Sequence, residues 1–203
     1  MGAERDLGKY ESFIFEYDNV LYPEKDYLLQ VYYLFAQFVE YAEQRDAVEL
    51  LAYMTEDFAN NGHDGIFERT VKQFDLEKKY RVNFDLLMQN VKLPLKLLLF
   101  DEMLQLLISV AKNGKQIFLL ANGDPVVALN KIRQTEWNGM ESSLTVYFAE
   151  EFTEDSTENI LLKILEKHGV KREKCLFVGH SSQAILINPQ SGINYLNAAD
   201  LFA

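Results

Sequence analysis

Residues 12–23 read SFIFEYDNVLYP, and the fold turns on them. Ser12 to Tyr17 form a short apolar and aromatic run that ends at Asp18-Asn19, the pattern of a strand entering a turn. Glu16 and Asp18 lie two apart on that extended segment, so their carboxylates can project to one side of its carboxyl end. Such a pair can hold a magnesium ion or divide nucleophile and acid duties; it can also simply form the turn.

After Pro23, Leu28, Val31, Phe35, Phe38, Val39 and Ala42 fall at helical spacing and predict a helix to about Arg45. Residues 46–92 continue as helical patches (AVELLAYM, IFERTVKQF, FDLLMQNV) without a strand candidate, so an all-helical insertion is expected. Tyr27, Tyr32, Tyr33, Phe35, Phe38, Tyr41 and Tyr53 read mostly as its core, with surplus tyrosines available to a cleft or interface. Leu93 to Val110 is the most apolar stretch; Pro94, Lys96, Asp101 and Glu102 break it as a membrane span, and it reads as a buried helix.

Beyond Asn113-Gly114 the pattern alternates. Strands are expected at Gln116–Leu120, Leu144–Phe148, Cys175–Val178 and Ile193–Leu196. Between them come a helix opened by Asp124-Pro125, a helix from Glu158 to His168 and a short one over Gln183–Asn188. Alternation of this kind implies a parallel sheet with its chemistry at the carboxyl ends of the strands.

The whole chain has 203 residues, 48% hydrophobic and 25% charged, with 14 Phe and 11 Tyr, which suits one sizeable core carrying an insertion. A net charge of -11 without a Lys/Arg block opposes binding to nucleic acid or an anionic membrane. Cys175 is the single cysteine and excludes an internal disulfide. With an N-terminal stretch that lacks the basic and apolar segments of a signal peptide, it points to the cytoplasm.

FIFEYDNVLYP resembles the first motif of the haloacid dehalogenase-like (HAD) superfamily, a strand ending in Asp-x-Asp-x-Thr or Asp-x-Asp-x-Val and often followed by Leu-Tyr-Pro. Asp18, Val20, Leu21, Tyr22 and Pro23 match it. IFLLANGDP (117–125) resembles the second motif and LFVGHSSQAI (176–185) the fourth, in the same order and spacing. The resemblance covers residues 10–200. It implies an α/β, Rossmann-like HAD core over 1–23 and 96–203, a parallel sheet flanked by helices, with residues 24–95 as an inserted all-helical cap.

In active members the first Asp attacks a phosphoryl group and the second serves as acid and then base. Here the first position is Glu16, whose extra methylene moves the carboxylate outward, where a misplacement of about 1 Å costs roughly a hundredfold in rate. Asp18 keeps the second position and could offer a metal its backbone carbonyl. The hydroxyl of the second motif is replaced by Ala121, which leaves Asn122, Gly123 and backbone amides for substrate. The third-motif lysine position falls on Glu154, and Lys163 and Lys167 read as solvated helix residues. Where the fourth motif supplies carboxylates to magnesium, the chain has His180 and Ala184, so Asp18 and His180 are the only metal candidates left, with His180 also placed to hydrogen-bond Glu16 or Asp18.

The resemblance therefore implies a HAD-like protein that is catalytically impaired, needs no cofactor, and binds a small metabolite or a protein partner. The alternative is an active, magnesium-dependent phosphatase of small molecules using Glu16 and Asp18, and carbon-halogen hydrolysis is a third reading.

Overall fold

The computed structural model describes residues 7–152, 156–180 and 192–201. They form two compact units: Met1–Pro23, Leu98–Ala128 and Glu136–Ala203 make the first, and Glu24–Leu97 with Leu129–Thr135 the second.

The first unit is built on five parallel strands, β1 (Ser12–Glu16), β3 (Gln116–Ala121), β5 (Leu144–Phe148), β6 (Cys175–Gly179) and β7 (Asn194–Asn197), in the order β5-β3-β1-β6-β7. β2 (Leu97–Leu98) and β4 (Thr135–Glu136) are two-residue strands outside this sheet. All five residues of β1 and of β6 are buried, which is why both read as near-continuous apolar runs instead of alternating ones. On one face Ile14, Phe118, Leu120 and Phe177 pack with Ile160, Leu161, Ile164 and Leu165 of α7 (Thr157–Lys167). On Phe13's side the Lys115 ammonium lies 5.9 Å from the ring and donates to the carbonyls of Leu7 (3.0 Å) and Gly8 (2.8 Å), pinning the turn at Leu7–Lys9 to the sheet.

The strand order carries the functional consequence. From β1 the chain proceeds outward through β3 to β5, then returns to the other side of β1 for β6 and β7. The direction reverses between β1 and β6, and the crevice at the carboxyl ends of such a pair is where open α/β sheets bind ligands. The Rossmann-like α/β core implied by the motifs is therefore present, with strand positions within a residue or two of those expected.

The Leu-rich stretch differs. No helix spans Leu93–Val110: α5 runs from Asp101 to Lys112, and Leu95 (70% exposed) and Leu98 (62%) face solvent. Pro94 holds Leu93 out of the helical region, and backbone amides that a helix would use are taken elsewhere. The Leu93 N–H donates to Gln134 Oε1 (2.6 Å), Leu95 N–H to Gln30 Oε1 (2.8 Å) and Phe100 N–H to the Leu21 carbonyl (2.8 Å). Among the described residues no helix is long and apolar enough to cross a membrane. The expected helix over Gln183–Asn188 lies outside the described residues.

The second unit consists of α1 (Lys25–Glu43), α2 (Ala47–Asn61), α3 (Ile66–Phe74), α4 (Arg81–Asn90) and the end of α6 (Pro125–Gln134), the last coming from outside the 24–95 stretch. α1 begins two residues after Pro23, buries Tyr27, Val31, Tyr32, Phe35 and Val39 on one face, and stops where Gln44 turns left-handed (φ 58°). Phe35, Phe67 and Phe84 form its aromatic centre, with ring centroids 5.2 to 5.9 Å apart. Tyr33 (42% exposed) and Tyr41 (91%) depart from the core role read for the aromatic positions of this segment. α2 is capped by Asp46, whose Oδ1 accepts from the Val48 and Glu49 amides.

Candidate functional site

β1 delivers Glu16 to the switch point. Phe13, Ile14 and Phe15 pair with both β3 and β6, and the ladder continues through the Tyr17 amide, which donates to the Leu120 carbonyl (3.1 Å). The chain then turns sharply. Leu21 N–H donates to the Tyr17 carbonyl (3.1 Å), Asn19 takes a left-handed conformation (φ 61°), and the Tyr22 hydroxyl donates to Asp18 Oδ1 at 2.6 Å. Tyr17, Tyr22 and Trp137, all buried, pack behind this turn, Trp137 stacked on Tyr17 and Tyr22 tilted against it. Asp18 thus serves as the acceptor that closes the turn.

Glu16 is 3% exposed, and both of its oxygens are engaged. Oε1 accepts from the Asn122 Nδ2 amide after β3 (3.2 Å), and Oε2 accepts from the backbone N–H of His180 after β6 (2.7 Å). The carboxylate therefore bridges the switch crevice. Gly179 makes this possible: a Cβ there would stand 2.9 Å from Oε2 and 3.1 Å from the Phe177 ring. From β7 the Tyr195 hydroxyl reaches the His180 carbonyl (2.7 Å), with the Gly179 carbonyl at 3.1 Å, so the ends of four strands are tied laterally through Glu16 and His180.

Burial raises the Glu16 carboxyl above its ordinary value, outweighing the His180 amide and the Asn122 side chain, which favour the charged form; the His180 ring lowers it slightly and Asp18 adds to the rise. Burial, with the negative charge of Glu16 and Asp200, pushes the Tyr195 phenol up to about 12.

Ala121 is fully buried at the end of β3 and presents no donor. Asn122 is exposed and bonded to Glu16, while Gly123 (φ 76°) makes the turn that sets Asp124 to cap α6 through the Val126 amide (2.7 Å). Glu154 and Ala184 lie outside the described residues. Lys163 and Lys167 are exposed on α7, the latter 5.1 Å above the Tyr147 ring.

A magnesium ion, which the motifs imply, needs several oxygen ligands converging on one point. Among the described residues no three His, Cys, Asp or Glu side chains gather closely enough to hold a metal ion. Both Glu16 oxygens already accept N–H bonds and Asp18 Oδ1 accepts an O–H bond, so the described donor set does not fit the ion.

Three residues at polar junctions escaped the reading of the sequence. Tyr195 carries no local signal, since it acts on a partner from another strand, and Gly179 stands in the fourth-motif stretch without its role toward Glu16 being marked there. Lys131 did leave one: with Ala128 and Thr135 it falls at helical spacing on the buried face of α6, where it is 5% exposed, pairs with Glu24 (2.9 Å) and lies 5.2 Å from the Tyr27 ring.

In the helical unit the Tyr32 hydroxyl and His63 Nδ1 share a 2.7 Å hydrogen bond. Burial lowers the His63 pKa, against the opposing pull of Glu24 and Asp64 and with help from Lys131 and Arg81. The unfolded chain therefore takes up a proton near pH 6.5 that the folded chain refuses until lower pH. Stability of this unit should fall as pH drops below about 6.5 toward the folded value. Denaturant titrations at pH 7.5 and 5.5 check this, and His63→Gln should flatten the difference.

A family model described as haloacid dehalogenase-like hydrolase matches residues 10–183, well over half of the chain. Among solved structures the chain is similar to the putative HAD-hydrolase YfnB from Bacillus subtilis, solved bound to magnesium (TM-score 0.60, 13% identity, 92% of this chain and 85% of that one). It is also similar to a HAD family hydrolase from Deinococcus radiodurans R1, solved with bound phosphate and sodium (TM-score 0.57, 15% identity, 96% and 87%). A hydrolase from Streptococcus pneumoniae TIGR4 gives a TM-score of 0.54 at 16% identity over 93% and 92%. No curated protein sequence matches the chain. At these identities the structural likenesses speak to the fold alone, whereas the family match rests on the sequence itself. The parallel sheet, the motif order along it and the match over residues 10–183 agree: this chain belongs to the haloacid dehalogenase-like hydrolase family.

Proposed function

We propose that this chain is a HAD-fold protein whose phosphoryl-transfer chemistry is impaired and which acts by binding a small metabolite or a protein partner. The observation that carries the reading is the engagement of Glu16. A nucleophilic carboxylate needs an ionised oxygen free to approach phosphorus in line, and here burial favours the neutral acid while both oxygens accept hydrogen bonds from neighbouring strand ends. Ala121 removes the hydroxyl that would hold a phosphoryl oxygen, and the described donor set does not suit magnesium. In this reading the helical unit serves as the family's cap, and the ligand is neither nucleic acid nor membrane, given the net charge of -11. The single, buried Cys175 suits a cytoplasmic setting.

The test is phosphate release from a panel of small phosphate esters with magnesium, comparing the natural protein with Glu16→Gln. The expected result is no release above buffer hydrolysis from either. Magnesium-dependent release that disappears in Glu16→Gln overturns the proposal and establishes a phosphatase working through Glu16 and Asp18.

A further inference from the structure

The helical unit contains a cavity of about 660 Å³ between α3 and the segment leading into α4, and every residue lining it lies between Phe67 and Arg81. That volume is within the usual range for small-molecule sites, about 300–1,000 Å³. Its apolar wall is floored by Phe67 and Leu76, which are nearly buried, with Val71 partly exposed beside them.

The charges around it are not balanced in the same way. Arg81 is spent: it bonds to Glu68 and to Asp85, and its guanidinium lies 5.4 Å from the Phe67 ring, so it closes one side of the cavity as part of the fold. Lys72 and Lys78 also line the cavity, are exposed, and have no ion-pair or hydrogen-bond partner among the described residues. Asp75, the remaining acid of the rim, sits at the left-handed C-cap of α3 (φ 50°). Over the whole lining, Lys72, Lys78 and Arg81 stand against Glu68 and Asp75, an excess of one positive charge, with Asp85 bonded to Arg81 just outside the lining, in a chain whose net charge is -11.

We propose that this cavity binds a small amphipathic anion, an apolar chain laid against Phe67, Val71 and Leu76 with its anionic head between Lys72 and Lys78. An apolar wall gains from covering by a hydrocarbon chain, and solvated ammonium groups at its edge favour a negative head without a buried charge having to be desolvated. This deepens the binding role proposed above and rests on it.

The probe is octanoate, titrated calorimetrically into the full chain, with octanol and acetate as the tail-only and head-only controls. Octanoate should bind, each control should bind at least about tenfold more weakly, and added salt should weaken octanoate by screening the lysines. Lys72→Gln combined with Lys78→Gln should weaken octanoate by about tenfold, and Val71→Asp should do the same from the apolar side, while Lys79→Gln should leave it unchanged because Lys79 pairs with Glu77 instead of lining the cavity. Absence of octanoate binding, equal binding of acetate, or binding indifferent to the double variant overturns the proposal. Circular dichroism of each variant separates lost binding from lost fold. Phosphate release is followed in the same samples: failed binding without turnover sinks the cavity assignment and leaves the impaired-enzyme reading standing, whereas turnover through Glu16 sinks that reading whatever octanoate does.

Discussion

Glu16→Ala should lower stability by about 2 kcal/mol at neutral pH, whereas Glu16→Gln should cost less than about 1 kcal/mol. The alanine leaves the His180 amide without its 2.7 Å acceptor, a loss of about 1–3 kcal/mol, and removes one buried methylene at about 0.8 kcal/mol along with the carboxylate. Part of this is recovered, because the deleted carboxylate carried a charge that burial disfavours. Glutamine keeps the volume and the acceptor for His180, and the exposed Asn122 amide can turn over to accept from the new NH2 group.

The pH dependence sharpens the comparison. The folded pKa of Glu16 lies above the unfolded one, so its favourable contribution is fully present below about pH 4.5 and is lost as pH rises through the folded value. Glu16→Gln should therefore gain on the natural protein between pH 4 and pH 7. Urea melts of the three proteins at both pH values check this. A group held in place for catalysis against the interests of the fold would behave oppositely, with Glu16→Ala neutral or stabilising.

The fold was legible because strands buried on both faces leave continuous apolar runs: FIF in β1 and CLFV in β6 are visible without a partner. Glu16, Asp18, Asn122 and His180 could be placed near one another because each follows a strand of the same parallel sheet. What they do there was not legible. The bond from the His180 amide to Glu16 spans 164 residues, and although Gly179 is visible as a glycine, the sequence does not show that Glu16 Oε2 is what occupies the space of its missing Cβ. Leu93–Val110 misled for a different reason. Leucine content signals burial, but Pro94 and the side-chain acceptors Gln30 and Gln134 decide where the backbone amides go, and those acceptors are about 40 to 65 residues away.

Arg69→Met is expected to destabilise the helical unit by about 3 kcal/mol, the low end of the range for breaking a buried ion pair, because the arginine side chain is 31% exposed while Asp57 is 8% exposed. Arg69 organises the whole turn between α2 and α3. Its Nε donates to Asp57 Oδ2 (2.6 Å), Nη1 to the Asp64 carbonyl (2.5 Å) and Nη2 to the Gly62 carbonyl (3.0 Å). Gly62 and Gly65 both take positive φ there, and a Cβ on Gly65 would stand 3.0 Å from Nη1, so the backbone closes around the guanidinium. Methionine replaces the hydrocarbon stem but leaves Asp57 buried with, among the described residues, only the Asn61 amide (2.8 Å) as a donor. Asp57→Leu combined with Arg69→Met should recover most of the loss, since an apolar pair carries no uncompensated charge. The same turn carries His63. Without Arg69 its Nδ1 is no longer held against Tyr32, the ring gains solvent, and its pKa should move back up toward 6.5. The loss of stability on acidification should then be smaller in Arg69→Met than in the natural protein. If urea melts at pH 7.5 and 5.5 showed an unchanged acid sensitivity alongside a lowered midpoint, Arg69 would be stabilising the helices without positioning the turn.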